Sequence, residues 1–489
     1  MRKGTNAIYI GSHDKLQDWW PRDDEHGGHL VEELDESQSL TVIDKVQELI
    51  KNYLQLDNVS FLFGAGSSIH LGSESIQSIP QNIENDINGC GDQNIIGLFE
   101  KYVILLQRDK LSRLNPDEQK DNVIEDEGWK YIFDGKYLRN YLDCESEVIT
   151  EHYGKIDLPF ETLLNDLIAH LYISEVEGNE TEARGLTQLI NILKKSLFDI
   201  CDVHERKSPT NALERISLMG LGDLFKNNKY LFHEKFLKAL MQRPLNLRRA
   251  NIFTSNYDLA FEYAFDNLGI KYIDGFSGFH HRYFKPETFN YDVFYPGTTT
   301  SGEVQRIEKV LRYFKLHGSI SWVSDTKRSS SNIYGIEEMP IELIKRKTND
   351  PNEIDFTYGN LMIYPSAVKK SYTLDLPYSE LFRHFSYVIS QPQSVLFTIG
   401  YSYSDEHFND LIYQALTNPT FTLVIVDFYG TQKSPEIKRL KDLNDPRIII
   451  LEGNILGDFL TFSNQLMPNF MESSSADKIA DMMNKLVSK

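Results

Sequence analysis

Asn256 and His317 are the side chains of this sequence whose types and settings best suit chemistry on a ligand. Asn256 lies in Thr254-Ser255-Asn256-Tyr257-Asp258, after the apolar pair Ile252-Phe253. A carboxamide carries an acceptor and donors, so it can hold a sugar hydroxyl or a water. Asp258 can orient it; equally, Asn256 or Asp258 can cap the next helix. His317 lies in Lys315-Leu316-His317-Gly318-Ser319, after Tyr313-Phe314. An imidazole at a strand tip beside a small residue can reach a ligand, and an ordinary histidine pKa of about 6.5 suits base chemistry.

Two glycine turns frame these motifs. The apolar run Val59–Phe63 breaks into Gly64-Ala65-Gly66-Ser67-Ser68. Gly64 and Gly66 permit close backbone approach to a pyrophosphate, and Ser67 and Ser68 can cap a following helix whose dipole favours anions. A plain strand-to-helix turn fits the same residues. Leu396–Ile399 leads into Gly400-Tyr401-Ser402, where Gly400 allows approach to phosphate or ribose and Ser402 can donate to it. Asp405 is positioned to cap the helix carrying Phe408, Leu411 and Ile412. Asp427 ends the run Leu423–Val426, where a carboxylate can accept from an adenosine ribose or simply face solvent.

These motifs need strands to present them. The runs 59–63, 251–254, 311–316, 394–399, 421–427 and 447–451 are nearly continuous in apolar character, as strands buried on both faces of a parallel sheet are. Helical periodicity fills 259–268, 378–390, 405–417 and 435–443. The alternation predicts an α/β fold with a doubly wound parallel sheet. Residues 75–245 show only helical stripes, at Phe160–Leu171, Leu186–Leu197 and Phe232–Leu240, and read as a large helical insertion. Residues 324–357 read as an exposed, loop-rich insertion.

The expected organisation is an arm at 1–39, a catalytic domain at 40–470 containing the 75–245 insertion, and a tail at 471–489. The arm carries Trp19 and Trp20, a docking handle for another subunit, and the His26-Gly27-Gly28-His29 cluster, which reads as flexible arm rather than a metal site because no other ligand type sits at fixed spacing. His280-His281-Arg282 reads as a basic loop. The length of 489 residues suggests two to four domains at about 150 residues each. A net charge of −20 argues against duplex DNA as the main ligand. The 3 cysteines form no Cys-x-x-Cys pair, so no zinc ribbon is available and no metal is expected. Sparse cysteines, no apolar leader and no run of about 18 apolar residues point to a cytoplasmic protein.

In this order, the Gly64–Ser68 turn, the Asn256 motif, the Lys-Leu-His-Gly-Ser-Ile-Ser-Trp stretch around His317 and the Gly400 motif closely resemble the sirtuin-like NAD-binding fold. They are most similar to its bacterial branch that destroys NAD. The resemblance covers roughly 59–453 and implies a Rossmann-like sheet with a smaller domain over it and NAD between them. It implies catalytic roles for Asn256 and His317. It also implies contacts to NAD from Gly64, Ala65, Gly66, Ser67, Ser68, Asp258, Gly400, Ser402 and Asp427. Protein-deacetylating sirtuins carry a four-cysteine zinc ribbon and a Pro-Asp-Phe-Arg stretch; Ile69-His70-Leu71-Gly72-Ser73 stands in place of the latter. The expected activity is NAD glycohydrolysis in anti-phage defence, in a homo-oligomer. The layout resembles the sirtuin-like subunit that partners a HerA-type hexameric ATPase, through which any nucleic acid would act indirectly. Protein deacylation, ADP-ribosyl transfer and a non-catalytic NAD-binding scaffold are the rival readings.

Overall fold

The computed structural model describes residues 6–15, 36–73, 83, 86–112, 160–296, 306–324, 332–349, 356–363 and 377–468. The Trp19-Trp20 and His26–His29 clusters, Tyr364–Ser366 and the tail 471–489 lie outside them.

Along the chain, β1 (Ala7–Ile10) and β2 (His13–Asp14) precede α1 (Glu36–Leu54) and β3 (Asn58–Phe63). Helical elements come next without an intervening strand among the described residues, including two short 3-10 turns (Ala65–Ser67, Ile69–Leu71), α2 (Gln93–Ser112), α3 (Phe160–Glu177), α4 (Glu180–Cys201), α5 (Thr210–Leu218) and α6 (Gly222–Asn227). After α7 (Leu231–Leu240) come β4 (Asn251–Thr254), α8 (Ala260–Leu268), β5 (Lys271–Ile273), β6 (Phe276–Ser277), β7 (Arg282–Phe284), β8 (Val310–Lys315) and β9 (Gly318–Ser324). The remainder alternates: β10 (Ile336–Glu338), α9 (Ile341–Thr348), β11 (Leu361–Ile363), α10 (Tyr378–Ile389), β12 (Ser394–Ile399), α11 (Glu406–Leu416), β13 (Thr422–Asp427), α12 (Pro435–Asp442) and β14 (Ile448–Glu452).

Nine strands form one sheet in the order β2-β1-β14-β13-β12-β3-β4-β8-β5. From β5 to β14 every pair is parallel; β1 and β2 add an antiparallel edge. From central β3 the chain winds outward through β4 and β8, then crosses back to β12 on the other side of β3. That reversal is where open α/β sheets bind ligands, outside the strands' carboxyl ends. The doubly wound α/β architecture is thus the one the apolar runs call for.

Both faces are covered. Phe61, Phe63, Ile252, Phe397 and Val426 pack under α1, α7 and α8, in a core with Val46, Phe236 and Phe265. Leu62, Phe253, Leu396 and Ile425 face the other way, onto α10, α11 and α12 through Phe385, Phe408 and Leu440. Phe61 and Phe397, paired across β3 and β12, stack with centroids 4.9 Å apart. Such a pair adds about 0.5–1.5 kcal/mol beyond its buried area. Helices α2, α3 and α4 form a separate cluster with Ile320, Val323, Ile344 and Leu361, and Tyr257 and Leu259 pack against it. The helical layer therefore abuts the segment just past Asn256.

Three features depart from the sequence reading. Ala7–Ile10, placed in an arm, is a strand paired with Glu452–Ile449, because Ile8, Tyr9 and Ile10 are β-prone and cover the β14 edge. A second sheet, ordered β11-β9-β10-β7-β6, was not anticipated. It includes Arg282, read as part of a basic loop, and part of the 324–357 stretch read as loop. Within that stretch α9 buries Ile341 and Ile344, so apolar burial rather than exposure organises it.

Candidate active site

The motifs meet in one row across the sheet. Val426 of β13 is level with Ile399 of β12, Ile399 with Phe63 of β3, Phe63 with Thr254 of β4, and Thr254 with Lys315 of β8. One residue beyond this row stand Asp427, Gly400, Gly64, Ser255 and Leu316; two beyond it stand Asn256 and His317. Gly66 and Gly400, more than three hundred residues apart in sequence, are thereby brought to one edge.

Three glycines let the two central loops touch. A Cβ on Gly64 would lie 2.5 Å from the Gly400 carbonyl oxygen, and one on Gly66 2.6 Å from the Gly400 Cα. Gly400 itself sits at φ +58. The N–H groups of Gly64 and Gly66 donate to Ile399 and Gly400 carbonyls at 3.0 Å, and those of Ser67 and Ser68 to Gly64 and Ala65 carbonyls at 3.0 Å. The close approach granted by these glycines is therefore loop against loop. The chain after Ser68 makes a 3-10 turn ending at left-handed Gly72 (φ +95), so the dipole of a long helix is not available there. Ser67, fully buried, returns its hydroxyl to the Gly64 carbonyl at 2.8 Å.

Asn256 is pinned to this turn. Its Nδ2 donates to the Gly64 carbonyl at 3.0 Å and reaches Ser67 Oγ at 3.2 Å and Ser68 Oγ at 3.3 Å. A carbonyl can only accept, so the Gly64 contact fixes which end of the amide is nitrogen. Oδ1 is left with no partner among the described residues, free to accept from a hydroxyl or a water.

Below it lies a buried charge cluster. Lys315 Nζ donates to Glu262 Oε1 and to the Tyr257 carbonyl at 3.0 and 3.3 Å, and also to the Asp258 carbonyl. Tyr313 donates its hydroxyl to Glu262 Oε2 at 3.1 Å. Lys315 thus ties β8 to the two residues after Asn256. Asp258 is buried, accepts from the Ala260 N–H at 3.0 Å and takes a hydrogen bond from Ser68. Burial pushes the Asp258 and Glu262 carboxyls up, and the Lys315 ammonium opposes the shift. Asp258 braces the Asn256 loop from beneath.

His317 stands across from Asn256, its ring centroid 6.3 Å from Tyr257 and 5.3 Å from Phe408. Its Nε2 lies 3.0 Å from Asp405 Oδ2, and its side chain is 16% exposed against 3% for Asp405. Asp405 also caps α11 as the sequence reading allowed, its Oδ1 accepting from His407 N–H at 3.0 Å. Sequence reasoning found the cap and missed the imidazole contact. The available signal was that a capping carboxylate uses one oxygen on the helix and, beside a glycine turn, can aim the other at the strand ends.

Ser402 is exposed and shares a 2.9 Å hydrogen bond with Ser404. Asp427 closes its own turn, with Oδ1 accepting from the Tyr429 and Gly430 N–H groups at 2.9 and 2.6 Å. Burial pushes its carboxyl up. The edge therefore brings together Asn256, His317, the two glycine turns and Asp427, with Asp258 beneath. Among the described residues no group of three or more His, Cys, Asp or Glu side chains could hold a metal, and no helix is long and apolar enough to cross a membrane.

A family model described as a SIR2-like domain matches residues 250–444. The match takes in the Asn256, His317 and Gly400 motifs; Gly64–Ser68 precedes it. No curated protein matches the chain. Over the matched residues the chain is similar to a SIR2-like domain, a likeness that suggests NAD-related activity.

Proposed function

We propose that this protein hydrolyses the nicotinamide–ribose bond of NAD, giving nicotinamide and ADP-ribose. The observation that carries the reading is the shared row of strand ends, which sets an acceptor-bearing carboxamide and an imidazole on neighbouring strands beside a doubly wound sheet's switch point. In the reaction the C–N bond electrons pass to the pyridinium nitrogen, which leaves as neutral nicotinamide, and the ribose carbon passes through an oxocarbenium-like state. Asn256 Oδ1 accepts a hydrogen bond from the attacking water or a ribose hydroxyl and so orients it. His317 takes the proton the water loses, directly or through that hydroxyl. The helical layer against Tyr257 limits stray water.

The resemblance of the motif set to bacterial NAD-destroying proteins supports a defence role, in which NAD depletion halts an infected cell. Uncontrolled turnover would be lethal, so the activity needs a gate. A homo-oligomer regulated by a HerA-type ATPase fits that need. The test is nicotinamide release from NAD by the purified protein, alone and with the ATPase, alongside Asn256→Ala and His317→Ala. Full release by both variants removes the mechanism. A deacylated lysine peptide or a labelled macromolecule, in place of free ADP-ribose, would transfer the site to deacylation or ADP-ribosyl transfer.

A further inference from the structure

The loop from Gly400 to Asp405 is bent twice through the left-handed region, at Gly400 (φ +58) and at Tyr403 (φ +58). Glycine adopts this conformation freely, whereas an aromatic residue does so only when its surroundings compel it. Tyr403 is compelled by burial, by a 2.8 Å hydrogen bond between its hydroxyl and Thr398 Oγ1, and by Asn409 Nδ2, which donates to its carbonyl at 2.8 Å. The Tyr401 hydroxyl adds a longer contact, 3.4 Å, to the Asp405 carbonyl. A strained residue held this firmly fixes the direction in which the chain leaves it. Two residues on, Asp405 is turned back over the sheet edge with one oxygen on the α11 N-terminus and the other on His317.

An ionised carboxylate only accepts hydrogen bonds, so the His317 nitrogen facing it must carry the hydrogen. That nitrogen is Nε2. Nδ1 has no partner among the described residues and keeps its lone pair. We propose that Asp405 is a positioning residue that locks His317 into the Nε2–H tautomer, so that Nδ1 is the nitrogen that accepts the proton, and that stabilises the imidazolium then formed. The catalytic part of the proposal rests on the NAD-hydrolysis reading; the tautomer part does not. Asp405 belongs to the same loop as Gly400, so the imidazole is set by the element that closes on the Gly64 turn.

The test uses the full chain with 15N-labelled histidine, and the His317 resonances are identified by their loss in His317→Gln. Asp405→Asn keeps an acceptor oxygen for the His407 N–H but offers an amide donor toward His317. The wild-type protein should show the Nε2–H tautomer, and Asp405→Asn should move His317 toward the Nδ1–H form. Its kcat for nicotinamide release should fall about 10²–10⁴-fold with KM for NAD changed less than about threefold. Asp405→Ser, which still caps a helix but is too short to reach His317, should lose kcat similarly and serves if the Asn variant does not fold. An unchanged tautomer in a folded variant, or an unchanged kcat, overturns the proposal. If the wild type releases no nicotinamide, the NAD-hydrolysis reading fails while the tautomer measurement still decides the role of Asp405.

Discussion

Two histidine sites flank the Gly64 turn, and they have opposite surroundings. His317 stands at the sheet edge with a carboxylate 3.0 Å from Nε2. His70, two residues past Ser68, is buried against His233 with ring centroids 5.5 Å apart. Neither His233 nitrogen, nor His70 Nε2, has a hydrogen-bond partner among the described residues. Phe232, Phe261 and Phe459 pack their rings around the pair. Burial holds the His233 imidazole down to about 3 and pushes His70 well below its ordinary value. One imidazole has a carboxylate within hydrogen-bond reach and the other is packed among aromatic rings. The role of an imidazole is set by the atoms around it, and proximity to the glycine turn assigns nothing.

The sharpest way to break this contrast is at the sheet edge. His317→Ala should lower nicotinamide release by about 10²–10⁴-fold, the range of lost base catalysis, in a single-turnover assay at saturating NAD. His233→Phe should leave that rate within about twofold at pH 8. Equal losses from both would erase the distinction. Next in size is Lys315→Met, which leaves Glu262 and Asp258 buried without their cation. It should cost about 3–5 kcal/mol in urea unfolding, and Lys315→Met combined with Glu262→Gln should recover part of that.

Acid should then separate the two sites. The folded protein keeps His233 neutral while the unfolded chain protonates it below about pH 6.5, so the unfolded state binds more protons between about pH 3 and 6.5. Stability contributed by His233 is therefore complete above that window and is lost as pH falls through it. At pH 5 the loss is about 2 kcal/mol, and His70 adds to it in the same direction. Denaturant midpoints at pH 7.5 and 5 should show this, and His233→Phe should flatten the slope. The smallest effect belongs to a third, solvated histidine. His280→Ala, on the exposed turn between β6 and β7, should stay within about 0.5 kcal/mol of wild type.

Six strands of the large sheet, β3, β4, β8, β12, β13 and β14, were legible because each is a short, nearly continuous apolar run, as strands covered on both faces are; β1, β2 and β5, at the two edges, carry no such run. The second sheet was not, because β6 has 2 residues and β7 and β10 have 3 each, too few for any period to emerge. Asn256 and His317 could be singled out from residue type and setting together with the resemblance of their motifs to the sirtuin-like family. Their partners could not, since His317 and Asp405 are 88 residues apart and only the sheet order joins them. Lys315 carried an unread signal: a lysine inside an otherwise apolar run must find a buried counter-charge. The turn after Ser68 misled because its serines suit a helix start, while Gly72, whose added Cβ would meet the Lys207 carbonyl at 2.4 Å, ends the helix almost at once.

The outer strand β1 has a bearing on how the chain is made. Asn6 clamps the turn that follows β14, its Oδ1 accepting from the Ile455 and Leu456 N–H groups at 2.9 and 3.0 Å across separations of 449 and 450 residues. A ribosome adding roughly 5–20 residues per second needs roughly 20–90 s to span that interval. Through all of it the first strand has only its hairpin partner β2, and its other edge has no strand to join. The large sheet is sealed last at the edge that was synthesised first, and a nascent chain lacking β14 exposes a sticky ribbon that chaperones would have to shield.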